Sequence, residues 1–86
     1  MSYTVLWKEE ARDNLSDLQK DIASAIKNKI TRYLVLEPKK NGKPLKRELK
    51  GLWCAKYARY RIIYEILELE KTIIIIEIGL RKTIYD

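Results

Sequence analysis

From Ala11 to Leu34 the apolar residues recur at spacings of three and four: Ala11, Leu15, Leu18, Ile22, Ile26, Ile30, Tyr33 and Leu34. That period belongs to an amphipathic helix. A single helix over residues 8–37 would run roughly 44 Å at about 1.5 Å per residue. A compact domain of this length has a radius of gyration of about 12 Å, hence a diameter of roughly 31 Å. The helix must therefore break. Ser16 to Lys20 is the place, with Ser16 or Asp17 available to cap a second helix. Two antiparallel helices then share one apolar stripe and lay it on a sheet, with Ile22, Ile26 and Ile30 in the core.

The remaining segments supply that sheet. Ser2 to Trp7, rich in Tyr, Thr, Val and Trp, predicts a short first strand. Pro38 closes the second helix, and residues 38–44 form a basic, turn-rich loop. Leu45 and Leu49, four apart, suit one helical turn that pins this loop to the core, and Gly51 permits a tight bend. An antiparallel meander follows: Leu52 to Tyr57, Tyr60 to Leu67 and Thr72 to Ile78, with turns at Ala58-Arg59 and Leu69-Glu70-Lys71 and with Gly79 ending the last strand. In the middle strand Tyr60, Ile62, Tyr64 and Ile66 share the core face, while Arg61, Ile63, Glu65 and Leu67 share the other. Continued alternation places Ile73 and Ile75 with Glu77 on the face of Ile63. That makes an apolar surface for a partner, unless loops or the first strand hide it. The expected fold class is α+β, one domain over residues 1–86, with two N-terminal helices packed on an antiparallel sheet.

Charge is distributed unevenly. Residues 1–37 carry six basic and six acidic side chains, residues 38–61 nine and one, and residues 62–86 three and five, within a net charge of +6. One segment holds all the excess, as a polyanion-binding patch does; a lysine-rich loop that only solvates the surface has the same composition. Within it, the run from Lys56 to Glu65 interleaves cations with Tyr57, Tyr60 and Tyr64. Such interleaving suits a surface that neutralises phosphate and stacks splayed bases, although a sheet with ordinary cationic edges reads alike. Arg61, on a central strand, calls for an anion or for an ion pair with Glu65, Glu77 or another carboxylate.

Other chemistries are excluded by composition. There is no histidine, and one cysteine, Cys54. The usual general acid–base is therefore missing, as is any familiar zinc site, and no cofactor is expected. A lone cysteine leaves no intramolecular disulfide and points to a reducing compartment. Met1 to Trp7 lacks the regions of a signal peptide, and Ile73 to Ile76 is too short to span a bilayer. These features predict a soluble, cytoplasmic protein with no membrane partner.

Lys43-Pro44-Leu45, Leu49-Lys50-Gly51-Leu52-Trp53, Tyr60-Arg61-Ile62-Ile63-Tyr64-Glu65 and Gly79-Leu80-Arg81-Lys82 with Tyr85, in that order, resemble the RelE/ParE toxin superfamily of bacterial and archaeal toxin–antitoxin systems. The resemblance implies a curved sheet and a likeness to microbial ribonucleases. It also implies a cognate RelB-like antitoxin and operator DNA bound only through the antitoxin complex. RelE-like members cut messenger RNA in the ribosomal A site, whereas ParE-like members poison DNA gyrase and lack the nuclease residues; a nucleic-acid-binding module without toxicity is the third reading of the basic segment. The RelE-like cleavage residues, carried over, fall on Lys56, Arg61, Arg81 and Tyr85. Cys54 stands where a second lysine would, Ala58-Arg59 replaces the usual Gly-acidic turn, and the chain stops at Asp86 without a further helix. Arg59 or Lys82 then restores the lost charge. Lys39, Lys40, Lys43, Lys46, Arg47, Lys50, Arg59 and Lys82 are the expected RNA- and ribosome-binding set.

The implied reaction is metal-independent attack of a 2′-hydroxyl on the adjacent phosphorus. It needs in-line geometry, stabilisation of the phosphorane and proton transfer. Arg61 and Lys56 suit the non-bridging oxygens, one as a planar fork and the other as a point charge. Tyr85 is the expected base: its reference pKa is about 10, and the nearby cations Arg81 and Lys82 favour the phenolate. Arg81, with a reference pKa above about 12, is expected to act as an electrostatic stabiliser of the leaving oxygen.

Overall fold

The computed structural model describes residues 2–80. Strand β1 (Thr4–Trp7) leads into helix α1 (Glu9–Ser16) and helix α2 (Lys20–Lys29), which passes into a π-helical turn at Ile30–Leu34. A two-residue strand β2 (Lys43–Pro44) and a 3₁₀ turn (Arg47–Leu49) precede the meander of β3 (Leu52–Tyr57), β4 (Tyr60–Leu67) and β5 (Thr72–Leu80). The sheet order is β1-β5-β4-β3-β2, with β1 parallel to β5 and every other pair antiparallel. The radius of gyration is 11.9 Å and the longest extent 34 Å, so an unbroken helix of roughly 44 Å has no room.

The helices break where the period demanded it. Glu9 and Glu10 in the first turn of α1, Asp21 in the first turn of α2 and Lys27 and Lys29 in its last turn complement the helix dipoles. Capping differs from expectation. Ser16 Oγ donates back to the Asp13 carbonyl at 3.0 Å, closing α1. Gln19 stands at the N-cap of α2 without a side-chain cap, so neither Ser16 nor Asp17 serves there. Regular helix also ends before Pro38, because the π turn gives its last regular bond from Val35 N–H to the Ile30 carbonyl at 3.2 Å. The first strand starts at Thr4 rather than Ser2, and β5 runs on through Gly79 to Leu80 instead of stopping at Ile78.

Ala11, Ile26, Ile30 and Leu34 pack on Ile62, Tyr64, Ile73, Ile75 and Ile78 to make the main core. This corrects the expected faces of β5. Tyr64 pairs with Ile75 but Ile63 pairs with Glu77, leaving Ile76 as the extra residue of a bulge. A bulge resets the alternation. Ile73 and Ile75 therefore lie fully buried under the helices, while Ile76 and Glu77 turn to the other face. Ile63 is buried as well, because Leu45 and Leu49 from the basic loop cover it together with Cys54 and Leu52. The expected exposed surface of Ile63, Ile73 and Ile75 does not exist.

Helix α1 lies alongside the part of β5 that β1 does not reach. Asn14 Oδ1 accepts the Ile78 N–H at 2.9 Å, closing a backbone donor on that edge. Among the described residues no helix is long and apolar enough to cross a membrane.

Candidate functional site

Cross-strand register brings the first two site residues together. Lys56 on β3 pairs directly with Arg61 on β4, so their side chains leave the same face of the sheet. Next to them opens a cleft of about 520 Å³ between the end of α2, the basic loop and the β2–β3 edge. Among the described residues its lining holds five cations, Lys29, Lys40, Lys43, Lys56 and Arg61, and no carboxylate. Lys56 is exposed, whereas Arg61 is only 8% exposed. Its Nη1 donates to Cys54 Sγ at 3.8 Å. Cys54 is a free, buried thiol. Where a second lysine was expected, the chain therefore offers a polarisable sulfur against the guanidinium.

A smaller hollow of about 140 Å³ adjoins the cleft at the β3–β4 turn and is lined by Lys56, Ala58, Arg59, Tyr60 and Arg61. Arg59 thus stands next to the Lys56–Arg61 pair. Ala58 holds the turn in a left-handed conformation at φ 53°, a position that glycine takes without strain.

Three of the contacts that hold the basic loop lie near the cleft wall. Tyr64 donates its hydroxyl to the Pro38 carbonyl at 2.6 Å, and Asn41 Nδ2 donates to the Tyr33 carbonyl of the π turn at 2.8 Å. Gly42 passes over the Tyr64 ring so closely that a methyl group there would overlap the hydroxyl. Burial pushes the Tyr64 phenol well above its ordinary range, with Cys54 adding to the shift. Tyr64 is accordingly a hydrogen-bond donor that shapes the cleft wall, not a base.

The other expected cations are placed differently from one another. Lys40 and Lys43 line the cleft. Lys39 turns away to Glu68, at 2.9 Å, and this bond raises its pKa. Glu68 is held below the usual carboxylate range by Lys39 and by the Tyr3 hydroxyl, which donates to it at 2.9 Å. Lys46, Arg47 and Lys50 are exposed on the 3₁₀ turn beside the cleft and do not line it. Arg81, Lys82 and Tyr85 lie outside the described residues. The last described pairs, Arg61 with Gly79 and Tyr60 with Leu80, put the end of the described chain beside the site.

The polar lining residues Lys29 and Asn41 were not among the expected site residues. Lys29 follows Ile26 by three positions, which puts it on the flank of the buried stripe at the C-terminal end of α2; that spacing was the available signal. Asn41 gave no signal, since its partner carbonyl is set by the π turn.

Comparison with known proteins places the chain among its relatives. Residues 5–85 match the family described as ParE toxin of type II toxin-antitoxin system, parDE. Toxin RelG of Mycobacterium tuberculosis is 36% identical over 85 residues, covering 99% of this chain and 98% of that one. The toxin–antitoxin complex RelBE2 of Mycobacterium tuberculosis contains a chain that superposes with a TM-score of 0.90 at 34% identity, over 94% of this chain and 100% of that one. A chain of the archaeal RelE–RelB complex from Pyrococcus horikoshii shares the fold at 24% identity, with a TM-score of 0.73, over 96% and 99%. The protein belongs to the ParE toxin family, within the RelE/ParE superfamily of type II toxin–antitoxin toxins.

Proposed function

We propose that this toxin is a ribosome-dependent endoribonuclease that cuts messenger RNA in the A site, with its substrate phosphate held between Lys56 and Arg61. The observation that carries this reading is the cleft beside that cross-strand pair, lined by five cations and no carboxylate among the described residues. In the reaction the 2′-oxygen loses its proton and bonds to phosphorus, the bond from phosphorus to the 5′-oxygen breaks, and that oxygen takes up a proton. A 2′,3′-cyclic phosphate and a free 5′-hydroxyl result. Arg61 and Lys56 stabilise the non-bridging oxygens as charge builds on the phosphorane. Tyr85 acts as the base and Arg81 stabilises the leaving oxygen. Lys29, Lys40 and Lys43 supply fixed positive charge without a metal, and Arg59 and Lys82 extend it. The ribosome presents the strand in line, which offsets the lack of a histidine acid–base pair.

A RelB-like antitoxin, acidic where it meets Lys46, Arg47 and Lys50, restrains the toxin in the cytoplasm, and the complex meets operator DNA through the antitoxin. The match to ParE toxins favours a second reading, a non-nuclease inhibitor of DNA gyrase. Mapping 5′ ends of cellular messages after induction separates the two. Cuts inside translated codons are expected, and intact messages with gyrase-linked DNA breaks would transfer the assignment to gyrase.

A further inference from the structure

The three depressions at the hairpin end of the sheet differ in chemistry along one continuous track. The cleft and the small hollow share Lys56 and Arg61, and the small hollow shares Arg59 and Tyr60 with a third depression of about 560 Å³. This third depression lies between the α1–α2 turn and the β3–β4 turn. Its walls include Tyr57, Tyr60 and Ile22, with Arg59, Asp17 and Gln19 at the rim. Tyr57 and Tyr60 are the terminal pair of β3 and β4, and both are half-buried, so each ring packs partly on the core and leaves the rest open.

We propose that this depression is a subsite for one unpaired base of single-stranded RNA whose phosphate lies at Lys56 and Arg61. The inference rests on the RNA reading above and names a binding element that the cleavage chemistry does not use. Tyr60 and Arg61 are consecutive strand residues at the hairpin end, so they point to opposite faces of the sheet. A nucleotide straddling the end of the hairpin meets cations on one face and rings on the other. That division matches its own division into phosphate and base. Aromatic faces with a neighbouring arginine bind bases of any identity by stacking, and the volume lies within the usual range for small-ligand pockets. Asp17 and Gln19 offer an acceptor and a donor–acceptor pair to a base edge.

The test is binding of a short 2′-O-methyl RNA, which resists cleavage, scanned with a single abasic residue at each position. With the wild-type protein, one position is expected to lose affinity by about tenfold, the loss of a single stacked base. The Tyr60→Leu and Tyr57→Leu variants, which keep apolar bulk, are expected to lose a similar factor on the intact strand and little more when the abasic residue is at that position. A flat scan, or losses that multiply independently at every position, overturns the subsite. If either variant does not fold, 4-thiouridine at the sensitive position decides. Crosslinking to the Tyr57–Tyr60 tip supports the subsite, and crosslinking elsewhere overturns it. Failure of the RNA reading itself is separate, since wild type and Arg61→Ala would then bind the intact strand equally poorly.

Discussion

The Tyr64 hydroxyl donates to the Pro38 carbonyl at 2.6 Å, joining the centre of the sheet to the first residue of the basic loop. Both groups are buried. Tyr64→Phe therefore leaves a buried carbonyl without its donor and is expected to cost about 1–3 kcal/mol in chemical denaturation. Gly42→Ala overpacks the same place and should cost about 1–3 kcal/mol. Since the methyl group collides chiefly with the hydroxyl, Gly42→Ala should cost less in the Tyr64→Phe background. Additive costs would show that loop and ring are independent.

Arg61 is nine-tenths buried and lies on the cleft wall against Cys54. Arg61→Lys keeps the charge and loses the planar fork, so single-turnover cleavage of ribosome-bound message is expected to fall by about 10² or more, the scale of one lost transition-state donor. Thermal melting should change by only a few degrees. An unchanged cleavage rate would remove Arg61 from the chemistry.

Asn14 closes the Ile78 N–H on the stretch of β5 that β1 leaves open. Asn14→Ala is expected to cost about 1–3 kcal/mol in denaturant. It should also speed amide hydrogen exchange at Ile78 more than at the neighbouring core strand β4.

Glu77 and Glu68 titrate in opposite senses. Desolvation, with Glu10 nearby, raises the Glu77 pKa above its ordinary 4.5. The folded protein thus holds that proton more tightly than the unfolded chain, and stability falls as pH rises from 4.5 through the raised value. Glu77→Gln should melt above wild type at pH 7, with the gap closing toward pH 4. Glu68, held low by Lys39 and Tyr3, contributes stability above its unfolded pKa that is lost as pH falls through the lowered folded value. Glu68→Gln should therefore melt below wild type at pH 7, and this gap too should close in acid. Melting curves of both variants across pH check the two signs.

Local pattern made much of this molecule legible. The helix break and the bounds of β3 and β4 follow from period and turn residues, and the left-handed φ of 99° at Gly51 fits the bend expected there. Four consecutive isoleucines, Ile73 to Ile76, hide the bulge, because hydrophobicity cannot mark which of them is the extra residue. Ile75→Glu is expected to unfold the protein, since a carboxylate would replace a fully buried side chain. Circular dichroism of the purified variant checks this. At the site, Lys56 and Arg61 were named by the family resemblance, and their adjacency follows from hairpin register. Lys29, Asn41 and the diversion of Lys39 to Glu68 were not legible, as each depends on where distant segments meet.

Parallel pairing of Thr4–Trp7 with residues 72–75 ties the first described strand to the last described strand. Such non-local closure is slow, and no contact rewards it until both strands are present. Until β5 has emerged, β4 lacks its antiparallel neighbour, Asn14 has no edge to close and Gly79 is not yet opposite Arg61. A chain cut short before β5 therefore lacks the strand that completes its core. Folding of the toxin is therefore completed by its most distant strand pair, and loss of either member opens the core from Ile73 to Ile78.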